Sequence, residues 1–249
     1  IDILRPRNAA GPLPVMICLQ GTNSGAHLSW GEARMPADPE KIVSGADYGR
    51  QAVHNGFVAV CVEQAAFGER REVALRRRSL DPCIDAANHA LLLGRTLLGE
   101  RASDISSVID WLSMNADELS IDISRLSAMG SSSGGASAVF AAALDRRITS
   151  VLANGCVGFI RDTIARRGDA SGQNVIPGIL NWIETDDVLG LIAPRPLLVV
   201  SGDADHIWPY DGAAAVVDRA RDVYRAFDSE TEIVSVSALG GHRFYPEIA

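Results

Sequence analysis

Residues 128–137 read AMGSSSGGAS, three serines in a row between glycines at the end of an apolar stretch. A Gly/Ser cluster can be ordinary loop punctuation, but the spacing here also fits chemistry. Gly130 and Gly134 bracket Ser132 as G-x-S-x-G, the pattern of a sharp strand-to-helix turn that lifts its central hydroxyl clear of a sheet. Such a turn is strained and needs small neighbours, which Ser131 and Ser133 are. Taking either of those as the nucleophile would remove a bracketing glycine, so Ser132 is the candidate. A serine hydroxyl attacks a carbonyl only when a base takes its proton and a carboxylate orients that base.

In this architecture the acid and then the histidine follow the serine along the chain. Two histidines lie downstream, His206 and His242. His242, in ALGGHRF after the last predicted strand, is the candidate base. VVSGDADHIWP offers Asp203 and Asp205 as the acid. A loop that must travel outward to reach a histidine favours Asp205, whereas Asp203, directly after Gly202, suits an Asx-type turn. His206 then reads as wall or rim. The oxyanion of a tetrahedral intermediate needs N–H donors: one is expected from Ser133, the other from Thr22 in LQGTNSG, where Gly21 lets the backbone bend close.

The elements that must position these residues are visible as apolar periodicity. Val15–Leu19 and Phe57–Val62 read as buried strands, with a helix expected over Lys41–Asn55 between them. Arg101–Asn115 repeats apolar residues at three- and four-residue spacing, so it reads as a helix. Arg125–Met129 is a short strand, and Ser133–Leu144 a helix of small residues. Ile148–Ala153, Pro196–Ser201 and Thr231–Leu239 read as strands, and Asp211–Phe227 as a helix. Unbroken apolar strands separated by helices imply a mostly parallel central sheet with helices on both faces, an α/β three-layer sandwich. Residues 1–249 are expected to form a single domain, with 155–194 a cap-like insertion.

No apolar run approaches the roughly 18 residues of a membrane span. A net charge of −8 argues against a nucleic-acid partner. RREVALRRR at 70–78 is a basic exception, read as a solvated loop or helix face. Of the four cysteines, Cys18 and Cys61 lie in strands as core residues, and a Cys83–Cys156 bond is left open. No cysteine pair has zinc spacing, and neither a phosphate loop nor a dinucleotide fingerprint is present. The chain begins at Ile1 without a methionine, which leaves a removed leader and the compartment open.

Together, ICLQGTNSG, GFVAVCVEQAAFGER, AMGSSSGG, IAPRPLLVVSGDADHIWP and GGHRFYPE resemble the α/β-hydrolase superfamily, in its dienelactone-hydrolase-like and acetyl-xylan-esterase-like branch. Dienelactone hydrolases proper carry cysteine where Ser132 stands, and Gln20 replaces the usual histidine before the oxyanion-loop glycine. The chain also stops seven residues after His242, short of the final helix such proteins usually have. The resemblance implies a serine esterase acting through an acyl-enzyme on short-chain, acetyl-type esters of small molecules or carbohydrates, with no metal and no organic cofactor. A serine peptidase of the oligopeptidase type shares the fold and triad, and a non-catalytic binding protein on this fold is the other alternative.

Further residues are candidates for substrate contact. His27, Trp30, Trp182 and Trp208 are placed to line an acyl or sugar pocket, although aromatics serve packing as readily. Glu69 and Arg70, in FGERR after the second strand, could touch substrate or form a structural ion pair.

Overall fold

A computed structural model describes residues 1–72, 81, 83–167 and 172–248. Residues 73–78 of the basic stretch lie outside these. Seven strands form one sheet in the order β1-β3-β2-β4-β5-β6-β7. They are β1 (Asp2–Leu4), β2 (Leu13–Leu19), β3 (Val58–Cys61), β4 (Ile121–Ser131), β5 (Ser150–Asn154), β6 (Leu197–Gly202) and β7 (Ile233–Ala238). Only β1 runs antiparallel, pairing with β3. The other pairings are parallel, and the chain reverses its direction of travel across the sheet after β3, so β2 and β4 lie side by side.

The helices are α1 (Asp38–Lys41), α2 (Tyr48–His54), α3 (Cys83–Leu92), α4 (Leu97–Met114), α5 (Ala116–Leu119), α6 (Ser133–Leu144), α7 (Ile164–Arg167), α8 (Thr185–Gly190) and α9 (Tyr210–Arg225). Strand alternation sends Val15, Ile17 and Leu19 of β2 to one face, where they meet Ile105 and Ile109 of α4, Ala138 and Ala142 of α6 and Val216 of α9. Small residues on α6 let it approach β4 and β5 closely, which sets the serine turn at its N-terminus. Cys18, Ala59 and Cys61 face the other way and pack under Tyr48 and Ala52 of α2. The cover on this second face is thinner: Met16, Leu152 and Leu198 stay half-exposed.

The helix expected at 41–55 is broken. Gly45 adopts φ 90°, which ends a wide turn after α1 and lets α2 start again at Tyr48. The β4 strand is longer than its apolar core suggests, because its first half, Ile121–Arg125, is polar and partly exposed. Strand β1 and helix α3 are additions to the expected elements, and α3 buries Cys83, Ala87 and Ala90 along one face. Between β5 and β6, Val188 and Leu189 of α8 and the following Ile192 are buried in the main core.

All four cysteines are free and buried. The open question of a Cys83–Cys156 bond is thereby answered against it: Cys83 sits with Phe67 and Leu97 in a satellite cluster, while Cys156 belongs to the main core. Among the described residues, no helix is long and apolar enough to cross a membrane.

Candidate active site

The serine turn forms where β4 hands over to α6. Ser132 holds φ 54° and ψ −122°, a combination that costs a non-glycine residue on the order of 1–3 kcal/mol. Packing on both sides maintains it. A Cβ at position 130 would come within 2.3 Å of the Gly134 carbonyl carbon, and one at 134 within 2.1 Å of the Leu19 carbonyl oxygen. Both bracketing glycines are therefore required by close backbone approach. Ser132 N–H donates to the Asn154 carbonyl at 2.8 Å, and its own carbonyl accepts from Ala136 N–H at 3.0 Å.

Asp205 and His242 come from the loops after β6 and β7. His242 Nδ1 lies 2.7 Å from Asp205 Oδ2. The other carboxylate oxygen accepts from Ile207 N–H at 2.8 Å and Trp208 N–H at 2.9 Å. Burial disfavours the charge on Asp205, but the His242 contact and the two N–H groups outweigh it and hold the carboxyl below its ordinary range. An ionised acceptor fixes the proton on Nδ1 and leaves Nε2 as the basic nitrogen. Asp203 does other work: its Oδ1 accepts from Gly240 N–H at 2.8 Å and ties the β6 loop to the histidine loop. His206 is exposed.

Ser132 and His242 line one open cavity of about 820 Å³, together with Gly21, Thr22, Ser133 and Trp208. Gly21 lies against the turn, since a Cβ there would be 3.4 Å from Ser132 Cβ. Ser133 opens α6, whose first N–H groups have no intrahelical partner. Among the described residues, the N–H of Thr22 likewise donates to no carbonyl. Among the described residues, two N–H groups without a carbonyl partner thus border the cavity that Ser132 lines, one of them at the positive end of a helix.

The remaining sequence candidates fall elsewhere. His27 is buried and bonded to Asp38, with Nε2 to Oδ2 at 2.9 Å, so it braces a loop instead of lining the cavity. Trp30 Nε1–H donates to Glu32 at 2.8 Å outside it. Glu69 is exposed beside Arg34 at 3.3 Å. Arg70 pairs with Asp104 at 2.5 Å across a separate groove. Trp182 is 86% exposed and away from the cavity. Of the six, Trp208 alone joins the cavity wall.

Several residues at the site carry no sequence signature. Asn154 Nδ2–H donates to Ser131 Oγ at 3.0 Å and to the Arg243 carbonyl at 2.8 Å, linking the serine turn to the histidine loop. Gly155 (φ 55°) leaves room beneath the ring, because a Cβ there would be 3.2 Å from His242 Cε1. Tyr48 is buried against Ser131 and the Gly21 backbone, and burial pushes its phenol up to about 12. Gln20, in place of the usual histidine, donates from Nε2 to Glu63 Oε1 at 2.7 Å. Lys41, Gln173 and Asn174 complete the far wall. They come from α1 and the β5–β6 segment, and only folding brings them near the turn.

A parallel sheet with this strand order, carrying a strained serine at the β4–α6 junction, is the α/β-hydrolase fold. Residues 92–167, less than half the chain, match the BD-FAE family model. The chain is 22% identical over 248 residues, 96% of its length and 76% of the relative's, to YtaP of Bacillus subtilis (strain 168), itself provisionally named a hydrolase. It superimposes with a TM-score of 0.73 on a Bacteroides fragilis NCTC 9343 structure provisionally described as an acetyl xylan esterase, at 19% identity over 95% of this chain. It spans 62% of that chain's length. A glucuronoyl esterase from Solibacter usitatus gives a TM-score of 0.67 at 17% identity, over 97% of this chain and 72% of the other.

Proposed function

We propose that this chain is a serine ester hydrolase that works through an acyl-enzyme on short-chain esters, acetyl esters of carbohydrates foremost. The observation that carries the reading is the shared cavity: a strained Ser132 and an Asp205-bound His242 open onto the same space. In the first step Ser132 Oγ attacks the ester carbonyl while His242 Nε2 takes its proton. Asp205 remains ionised and stabilises the imidazolium. The N–H groups of Ser133 and Thr22 receive the negative oxygen, and removing one such donor typically costs about 3 kcal/mol in the transition state. The intermediate collapses by breaking the C–O bond to the alcohol, which leaves with the proton from His242. Water then repeats the sequence on the acyl-serine, with His242 first as base and then as acid, and the carboxylic acid departs.

The carbohydrate preference draws on the names of the two esterases of like fold and on the open cavity, whose wall carries Asn23, Lys41, Gln173 and Asn174 beside Trp208. Within the single domain, we read the part of 155–194 around Gln173 and Asn174 as a cap-like wall over that cavity. A peptidase or a binding role has no observation of its own in its favour. Initial rates on p-nitrophenyl acetate, butyrate and octanoate, with Ser132→Ala alongside, test the reading. Acetate is expected to be cleaved best, with the variant near background. Equal inertness of both proteins on all three would defeat it, and acetylated oligosaccharides are the next substrates if it stands.

A further inference from the structure

Arg101 is the anomaly of the interior. It is 1% exposed, yet no carboxylate among the described residues lies within ion-pair distance. A buried charge without an ionic partner is costly unless its donors are matched by good acceptors. Its Nε and Nη2 donate to the Ala65 carbonyl at 3.1 and 3.0 Å, and Nη2 also meets Cys83 Sγ at 3.3 Å. The guanidinium lies over Phe67, 4.5 Å from the ring centroid. Desolvation lowers its pKa, though an arginine stays charged regardless.

The remaining nitrogen, Nη1, points toward the site. Arg101 Nη1 donates to Gln173 Oε1 at 3.1 Å. Arginine has no acceptor, so this contact dictates which end of the carboxamide faces it. The other end, Nε2, must then face the opposite way, where it donates to Thr22 Oγ1 at 3.2 Å. Thr22 belongs to the loop after β2, and Gln173 to the segment between β5 and β6. Neither segment is held there by strand pairing.

We propose that Arg101 and Gln173 form a buried relay that positions the oxyanion loop: the guanidinium locks the carboxamide, and the carboxamide holds Thr22 so that its backbone N–H stays in place beside Ser132. The relay rests on the ester-hydrolase reading for its effect on rate, but not for its effect on the loop. Both are positioning residues, since the group that would touch the reacting oxygen is the Thr22 N–H. Their loss should therefore act on the transition state more than on the bound ester.

Gln173→Leu keeps the volume and removes the carboxamide's hydrogen bonds, those with Arg101 and Thr22 and a longer one from Cys83 Sγ at 3.5 Å, while Thr22→Val removes only the acceptor and keeps the backbone N–H. Each is expected to lower kcat on p-nitrophenyl acetate by about five- to tenfold with KM changed less than about twofold, the signature of a loss confined to the transition state. Two substitutions along one line of force should not add, so the double variant should be no slower than the worse single one. An unchanged kcat in Gln173→Leu, or effects that multiply in the double variant, would overturn the relay. Hydrogen–deuterium exchange over residues 20–26 gives a readout that needs no turnover. Faster exchange there in Gln173→Leu, with an unshifted melting temperature, is expected; unchanged protection overturns the relay even if the wild type hydrolyses no ester. Wild-type inertness alone would defeat the ester-hydrolase reading and leave the exchange result to decide the relay.

Discussion

Among the described residues, two clusters bring serine, histidine and aspartate together, and the proposed function assigns reactivity to one of them. Ser24, His27 and Asp38 lie within hydrogen-bond distance of one another: Ser24 Oγ is 2.5 Å from Asp38 Oδ1 and 3.3 Å from His27 Nε2. Asp38 also accepts from the N–H groups of Arg34 and Met35 at 2.8 and 2.7 Å. The histidine and the carboxylate are buried, and Nε2, the nitrogen a nucleophile would need, is already committed to Asp38. In the other cluster Nδ1 takes the carboxylate, the serine is on a strained turn, and the ring edge reaches a cavity. Residue types and short distances are common to both. Spare valence and access separate them, and these mark a reactive constellation better than composition does.

Paired substitutions sharpen or break this contrast. The largest difference is expected between the serines. Ser132→Ala should lower kcat/KM on p-nitrophenyl acetate by on the order of 10⁵-fold, as loss of a triad nucleophile does, whereas Ser24→Ala should stay within about threefold. Comparable losses in both would erase the distinction.

The aspartates should divide by kind of effect. Asp205→Asn is expected to cost about 10⁴-fold in kcat, because the amide no longer fixes the histidine proton. Asp38→Asn should instead cost stability, about 3 kcal/mol, by leaving buried donors without their charged partner. Burial opposes the Asp38 charge, but Ser24, His27 and the two backbone N–H groups hold its carboxyl far below the ordinary range. Its folded pKa therefore lies below the unfolded value of about 3.9. The stability it contributes is fully present above that value and is lost as pH falls through the folded one. Urea unfolding from pH 7 to pH 3 should show a constant gap between wild type and Asp38→Asn that narrows only below about pH 4. A gap that narrows near neutrality would contradict the assignment.

The smallest contrast is between tryptophans. Trp208→Ala, in the cavity wall, should raise KM by about fivefold, on the order of 1 kcal/mol of lost packing. Trp182→Ala should change neither constant by more than about twofold. The reverse order would place substrate on the exposed surface of the β5–β6 segment.

What could be read from the residues was whatever repeats or brackets. Val15–Leu19 and Ser133–Leu144 announce themselves by composition, and Gly130 and Gly134 mark the turn because backbone packing there tolerates nothing larger. The proposed order of Ser132, Asp205 and His242 rests on where loops must leave a parallel sheet. His27 misled because an aromatic after a glycine loop looks the same whether it lines a cavity or braces a carboxylate; Asp38, its partner, is eleven residues away with no spacing rule to connect them. The Arg70–Asp104 pair and the Arg101–Gln173–Thr22 chain were invisible for a similar reason. Their members lie 34 to 151 residues apart, and only the packing of α4 against the loops brings them together.

The most direct test of the central claim is covalent labelling. Incubating the protein with paraoxon and mapping the adduct by mass spectrometry asks which hydroxyl is activated, independently of the natural ester. One diethylphosphoryl group on Ser132, absent in His242→Ala, is the predicted result. No adduct on the wild type, or one on Ser24 or another serine, would contradict it.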